Sequence, residues 1–358
     1  MKYEYWFANI KGLGNKEKFQ IRSSIKTAEE LYYMEEKAIE KVVGKKEKSQ
    51  VIIESIRNWQ LNEEYDVLNR KEVQFVTRMS SQYPQRLTEI SASPYVLYYK
   101  GKLPVEETVS AAIVGARQCS AYGETMAKRF ADALANAGVQ IISGMARGID
   151  GISQRAAIQS QGSSFAVLGC GVDICYPREN YRLYQELQMS GGIISEQPIG
   201  VQPQRNFFPA RNRIISGLAD VVLVIEAKKE SGSLITADMA LEQGKDVYAL
   251  PGNITSCLSE GCNKLIKQGA DILMSPDELL KDLGIFHNDK LKKLAENKIV
   301  LESAEKLVYS CLDFEPRSLN VLLEQTRLQI SVLLDHLVAL QLKGYVREVS
   351  KNYYVKVK

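Results

Sequence analysis

SAAIVGARQCSAYGETMAKRFADALANAGVQIISGMARGID, residues 110–150, holds two short runs of small and β-branched apolar residues, 110–115 and 139–144, on either side of one amphipathic helical stretch. Runs that are apolar on both faces belong to strands covered on both sides, and joining two of them through a helix calls for parallel pairing. The alternation continues with SSFAVLG (163–169), GIISE (192–196), VVLVIEA (221–227), DVYALPG (246–252) and DILMS (271–275), with SLITADMALEQG (233–244) among the intervening helices. This pattern predicts an α/β fold, a Rossmann-like, doubly wound, mostly parallel sheet of about seven strands.

The flanking segments read differently. Residues 1–75 are expected to form an N-terminal helical domain in which the stretch 26–59 gives two helices broken at Gly44. Near its start, Ile10-Lys11-Gly12-Leu13-Gly14 has the form of a helix-hairpin-helix turn, whose glycine amides serve either a nucleic-acid phosphate or a tight turn alone. Residues 76–286 are expected to hold a connecting segment (76–105) with one or two strands, followed by the Rossmann-like domain. Residues 287–302 are polar and Lys-rich, as a linker would be. Residues 303–358 give helices over 303–312, 317–325 and 330–344, then strands over 345–349 and 352–357, the order of a winged helix. The third of these helices is mostly apolar and carries Asp335, which leaves nucleic acid and protein equally open as its partner.

Composition narrows the chemistry. Among 358 residues, 45% are hydrophobic and 25% charged, which suits a globular chain and excludes a disordered or fibrous one. The six cysteines form no CxxC pair, and the two histidines, His287 and His336, lie far from them, so neither a zinc site nor histidine-assisted nucleophilic catalysis is expected. No apolar run reaches the roughly 18 residues of a membrane span. The start, MKYEYWFANI, lacks the apolar core of a signal peptide, so a cytoplasmic location is expected. No GxGxxG opens the first helix of the sheet domain and no GxxxxGK[ST] occurs, so no nucleotide cofactor is expected.

Charge is distributed unevenly. Residues 106–284 carry 16 basic and 20 acidic side chains, yet between 108 and 215 the basic residues are nine Arg and a single Lys. Guanidinium is favoured where phosphate is gripped by paired donors. In a doubly wound sheet, ligands bind beyond the carboxyl ends of the strands. The segments expected there are Gly115-Ala116-Arg117, SGMARGID (143–150), Gly169-Cys170-Gly171 leading to Tyr176-Pro177-Arg178, FPARNR (208–213) and Lys228–Ser233. Five successive loops thus bring glycines and cations to one rim, an arrangement suited to phosphate. Asp150 is expected to cap the helix that follows it. Arg117 and Arg178 either face a ligand or pair with acids such as Asp173 and Glu179.

The stretches IVGARQCSAYG (113–123), SGMARGID (143–150), VLGCGVDICYP (167–177), ISEQP (194–198), FPARNRIISGLAD (208–220), SGSLITADMA (231–240) and PGNITSCLSEGCNKLIKQGA (251–270) resemble the bacterial DNA-processing protein A family (DprA, or Smf). The resemblance implies a non-enzymatic, single-stranded DNA-binding protein that protects incoming DNA and loads the RecA recombinase during natural transformation. It also implies a homodimer formed through the Rossmann-like domain. By motif, the DNA pocket would comprise Arg117, Ser143, Gly144, Arg147, Gly148, Ile149, Asp150 and Arg178, with Arg211 and Arg213 contributing. One departure is Gln154, where the family has a histidine; any role of the imidazole would be lost or replaced by amide hydrogen bonding, and the loop backbone would still bind phosphate. The alternative is a nucleoside monophosphate phosphoribohydrolase of the LOG group, whose glycine-rich phosphate loop SGSLITA resembles, although 231–237 lacks that loop's glutamate.

Overall fold

The computed structural model describes residues 1–285 and 303–357. The expected linker 287–302, with His287, lies outside the described residues. The strands are β1 (Gln74–Thr77), β2 (Val96–Gly101), β3 (Ser110–Val114), β4 (Gln140–Ser143), β5 (Ser164–Val167), β6 (Gly192–Ser195), β7 (Val221–Val224), β8 (Asp246–Ala249) and β9 (Asp271–Ile272). They form one sheet in the order β1-β2-β6-β5-β4-β3-β7-β8-β9. From β6 to β9 in this order every pair is parallel, as the apolar runs predict. The connecting segment holds strands as expected: β2 and β1, the latter beginning at Gln74, lie at one edge of the sheet, β2 antiparallel to β6 and β1 antiparallel to β2.

Covering helices explain the doubly apolar strands. On one face lie α7 (Ala121–Asn136) and α8 (Ile149–Gln159), with α9 (Tyr181–Ser190) beside β6. On the other lie α10 (Phe207–Leu218), α11 (Gly232–Glu242) and α12 (Glu260–Lys267), while α13 (Pro276–Asp282) returns to the α7 side. Within β3, Ala111 and Ile113 pack with Phe130 and Leu134, whereas Ala112 and Val114 pack with Ile214 and Leu218. Alternate side chains thus enter opposite layers. Each fully buried large aliphatic or aromatic side chain contributes roughly 1.5–3 kcal/mol.

The amino-terminal helices are α1 (Lys2–Ala8), α2 (Asn15–Ser23), α3 (Ala28–Tyr32), α4 (Glu36–Val43), α5 (Lys46–Asn58) and α6 (Leu61–Arg70). Residues 26–59 therefore hold three helices where two were expected. Gly44 breaks the chain at φ +70°, but the earlier break after Tyr32 has no glycine or proline to announce it. Packing sets it: Leu31 is buried, and the Tyr32 ring stands edge-on to Trp6 at 5.0 Å. The aromatic core of these helices is continuous with the sheet edge, where Tyr5 and Phe7 meet Phe75, Tyr95 and Tyr98.

The carboxyl-terminal region is a winged helix of α14 (Ser303–Ser310), β10 (Arg317–Ser318), α15 (Leu319–Thr326), α16 (Ile330–Leu342), β11 (Val346–Ser350) and β12 (Tyr353–Lys356). Its sheet runs β10-β12-β11, and β10, at two residues, is too short to show periodicity in sequence. It meets the larger domain where Arg347 pairs with Glu124 at 3.0 Å and Phe314 lies beside Tyr122. Among the described residues no helix is long and apolar enough to cross a membrane, and no group of ligating side chains could hold a metal ion.

Candidate nucleic-acid interface

β3 pairs with β4 on one side and β7 on the other, so successive crossovers leave it in opposite directions and open a crevice above its carboxyl end. A cavity of about 470 Å³ lies there, between the loop after β3, the start of α10 and the start of α11. Arg117, Arg205 and Arg211 line it, with Tyr176, Phe208 and the Ser231-Gly232-Ser233 turn. Tyr176 and Phe208 form a tilted aromatic pair at 5.4 Å, and the Arg117 guanidinium lies 5.8 Å from the Phe208 ring.

The SGMARGID loop forms the floor and is largely consumed in holding itself. Ser143 is fully buried and its Oγ donates to the Ile113 carbonyl at 2.6 Å. The Gly144 amide donates to Asp150 Oδ2 at 3.2 Å, and the Ala146 amide also serves that carboxylate. Met145, held at φ +54°, donates its amide to Gln154 Oε1 at 3.0 Å, while Gln154 Nε2 donates to the Phe165 carbonyl at 3.1 Å. The amide at 154 thus braces a strained turn. Gly148 lies at φ +69°, and a Cβ there would fall 2.2 Å from the Ala116 carbonyl oxygen, so only glycine fits. Ile149 is buried and donates its amide to that same carbonyl at 3.2 Å.

Two expectations are corrected here. Asp150 does not cap the free amides of α8; it folds back and accepts from the preceding loop. The amides of Gly144, Met145 and Ala146 are therefore committed internally, and the loop backbone at these positions is not available to phosphate. Burial raises the Asp150 pKa, against the opposing pull of Arg211.

The arginines separate into distinct groups. Arg117 is exposed and, among the described residues, makes no ion pair; the same holds for Arg205 and Arg178. Arg147 pairs with Glu179, both well exposed, and does not line the cavity. Asp173 is taken by Lys71 at 2.6 Å, so neither acid expected to neutralise Arg117 or Arg178 does so. Arg211 is buried beneath the cavity and donates to the Gly144 carbonyl at 3.0 Å and to that of Val167, and burial lowers its pKa to about 10. Arg213 is a correction to the expected set: it grips Glu196 through both nitrogens, at 2.8 and 2.6 Å, and donates to the Ala92 carbonyl at 3.0 Å. Helix geometry explains the difference, since residues two apart on α10 face opposite ways.

The amino ends of α8, α10 and α11 border the cavity, and Asp150 already stands in the first turn of α8. The start of α11 remains open to the cavity, with Ser231 as its cap and Gly232 exposed. Tyr176, Phe208 and this turn fall in segments expected at the rim, though they were not assigned to the DNA pocket by motif. Arg205 was not expected there: it belonged to the arginine-only pattern between 108 and 215 but to none of the rim segments. In the amino-terminal domain, the Gly14 amide donates to Glu17 Oε2 at 2.9 Å and Lys48 Nζ donates to the Gly12 carbonyl at 2.7 Å. That hairpin's Gly14 donor is thereby occupied by its own helix.

Comparison with known proteins agrees with this architecture. Residues 74–284 match the family model of DNA recombination-mediator protein A, and residues 293–350 match the DprA winged helix domain. Protein Smf of Escherichia coli is 39% identical over 278 residues, 76% of this chain and 74% of its own length. DNA processing protein DprA of Streptococcus pneumoniae is 44% identical over 200 residues, 56% of this chain and 71% of its own. The X-ray structure of DprA from S. pneumoniae superposes with a TM-score of 0.69 at 34% identity, covering 79% of this chain and 98% of that one. A structure describing the single-stranded DNA binding mode of DNA processing protein A from Helicobacter pylori gives 0.55 at 29% identity, over 61% and 99%. With its sheet domain, its winged helix and more than half its length matched, the chain belongs to the DNA recombination-mediator protein A family.

Proposed function

We propose that the crevice binds single-stranded DNA, phosphates toward Arg117, Arg205 and the start of α11, and bases against Tyr176 and Phe208. The observation that carries this is the juxtaposition of unpaired guanidinium groups with an aromatic pair at the mouth of one cavity. Cations supply the sequence-independent attraction, while exposed ring faces accept unstacked bases that a duplex would keep paired. The single-stranded DNA binding mode described for the H. pylori protein supports the ligand class. In this reading Arg211 and Asp150 act from below, holding the floor, and the role is binding rather than catalysis. The LOG-type alternative needs a carboxylate free to act on a glycosidic bond, whereas Asp150 is buried and bonded to loop amides.

We further infer that the bound strand is passed to RecA during natural transformation in the cytoplasm. The family's description as a recombination mediator supports this. A homodimer is also proposed: β9 is an open sheet edge, and Ile272 and Met274 beside it are 48% and 67% exposed.

Titrating the protein with single-stranded and duplex oligonucleotides across a salt series tests the central claim. Single strands should bind more tightly, with affinity falling steeply as salt rises. Arg117→Ala should weaken binding by about 1–3 kcal/mol, with partial recovery in Arg117→Lys. Phe208→Ala should lose a similar amount, about 1–3 kcal/mol, through the lost stacking. Equal affinity for duplex, or indifference to both substitutions, would overturn the assignment.

A further inference from the structure

Glu226 lies just beyond β7 and is 3% exposed, yet no lysine or arginine among the described residues pairs with it. Its carboxylate accepts from the Ser120 amide at 2.9 Å and from Ser120 Oγ at 2.5 Å. Ser120 Oγ in turn accepts from the Gly123 amide at 3.1 Å as the amino cap of α7. The fit is close: a Cβ on Gly123 would lie 2.3 Å from Glu226 Oε2. The charge is thus balanced by the amino end of a helix instead of a side-chain cation.

Its position decides what it controls. Residues 115–120 form the loop after β3, with Arg117 at its middle. The Ile225 amide donates to the Val114 carbonyl at 3.1 Å at one end of that loop, and the Glu226 carboxylate holds Ser120 at the other. Adjacent residues of one chain segment therefore clamp both ends. Arg117 itself has no ion pair among the described residues; its guanidinium lies over the Phe208 face, within electrostatic reach of Asp150 and Arg211 below. What aims it is the path of its own backbone.

We propose that Glu226 is a positioning residue for DNA binding, acting by fixing the 115–120 loop so that Arg117 stands over Phe208 at the mouth of the cavity. This rests on the single-stranded DNA reading of that cavity. The expected sign is unusual. A carboxylate near a polyanion, acting through charge alone, weakens binding, so its neutralisation would raise affinity. A positioning carboxylate does the reverse. In Glu226→Gln the amide oxygen can still accept from the Ser120 amide and the Ser120 hydroxyl can turn to accept from the new NH₂, but the charge that balances the amino end of α7 is lost and the tie at Ser120 weakens.

The test is a double-substitution cycle on the full chain, binding fluorescein-labelled oligothymidylate at several salt concentrations, with melting temperature measured on the same samples. Glu226→Gln should lower affinity several-fold and flatten the salt dependence, as Arg117→Ala does by removing one phosphate contact. In the Arg117→Ala background the same substitution should have little further effect. Ser120→Ala, which leaves Glu226 in place and loosens the same tie, should behave likewise with a smaller loss. Tighter binding by Glu226→Gln, or an equal fold-loss with and without Arg117, would overturn the proposal. If Arg117→Ala itself binds normally, the DNA reading of the cavity falls, and this inference with it; if Arg117→Ala weakens binding and neither Glu226→Gln nor Ser120→Ala does, only the inference falls.

Discussion

Arg211 and Arg213 carry the same side chain two positions apart, and burial assigns them different work. Arg213 and Glu196 are 12% and 14% exposed, so removing the arginine leaves a carboxylate poorly solvated. Arg213→Ala should cost about 3 kcal/mol of stability, seen in urea unfolding, while the folded variant binds single strands normally. Lys18 gives a pH-dependent counterpart. It is buried with its ammonium on the Ala8 carbonyl, and burial lowers its pKa to about 8 from the usual 10.5. Between those values the unfolded chain holds the proton and the folded chain has lost it, so this residue makes stability rise with pH across that window, by on the order of 3 kcal/mol. Buried thiols such as Cys262, raised to about 12, act in the opposite direction. The difference between wild type and Lys18→Met isolates the lysine: the stability gap between them should shrink or turn toward wild type as pH rises from neutral to about 10. A gap constant with pH would show that Lys18 is not buried as a cation.

At the scale of elements, α16 occupies the place of a groove-reading helix but presents Ile330, Val332, Asp335, Val338 and Leu342 to solvent. Lys343, at its end, is held by both oxygens of the buried Glu305, at 2.5 and 2.7 Å. This surface has the apolar character of a protein contact more than the cationic character of a DNA one. Lys343→Met should destabilise the winged helix by roughly 1–3 kcal/mol, by removing a partner of a buried carboxylate, and leave duplex and single-strand affinity unchanged. Calorimetry and a binding titration on the same samples check both halves. Loss of duplex affinity without loss of stability would restore a DNA role to this helix.

At the scale of the whole molecule, the open edge at β9 is where a second copy would extend or cover the sheet. Ile272→Asp combined with Met274→Lys should give a monomer by light scattering. Each monomer would keep its own crevice, so affinity for a short strand should be unchanged, while affinity for a long strand spanning two crevices should fall by tenfold or more, in line with the usual avidity gain of about 10²–10⁴. A dimer that survives both substitutions would place the interface elsewhere.

The parallel strands, their connecting helices and the winged helix could be read from the chain, because strand and helix periodicity is local and both faces of each strand are buried. The loops bearing Gly115–Arg117 and SGMARGID were legible for the same reason, since each follows a strand end, whereas FPARNR, expected as a loop, forms the first turns of α10. What local pattern could not supply was direction and partnership. One or two strands were expected before the sheet domain, but not the antiparallel pairing of β2 with β6 and of β1 with β2, and α3 ends where Tyr32 meets Trp6. Asp150 serves the loop because it stands inside the first turn of α8, with Gly148 in the cap position, and Arg213 leaves the crevice because Glu196 waits on the other side of α10. Sequence determined which residues reach the rim of the sheet; only the folded chain decided which of them face a ligand and which face one another, since that depends on contacts between residues tens of positions apart.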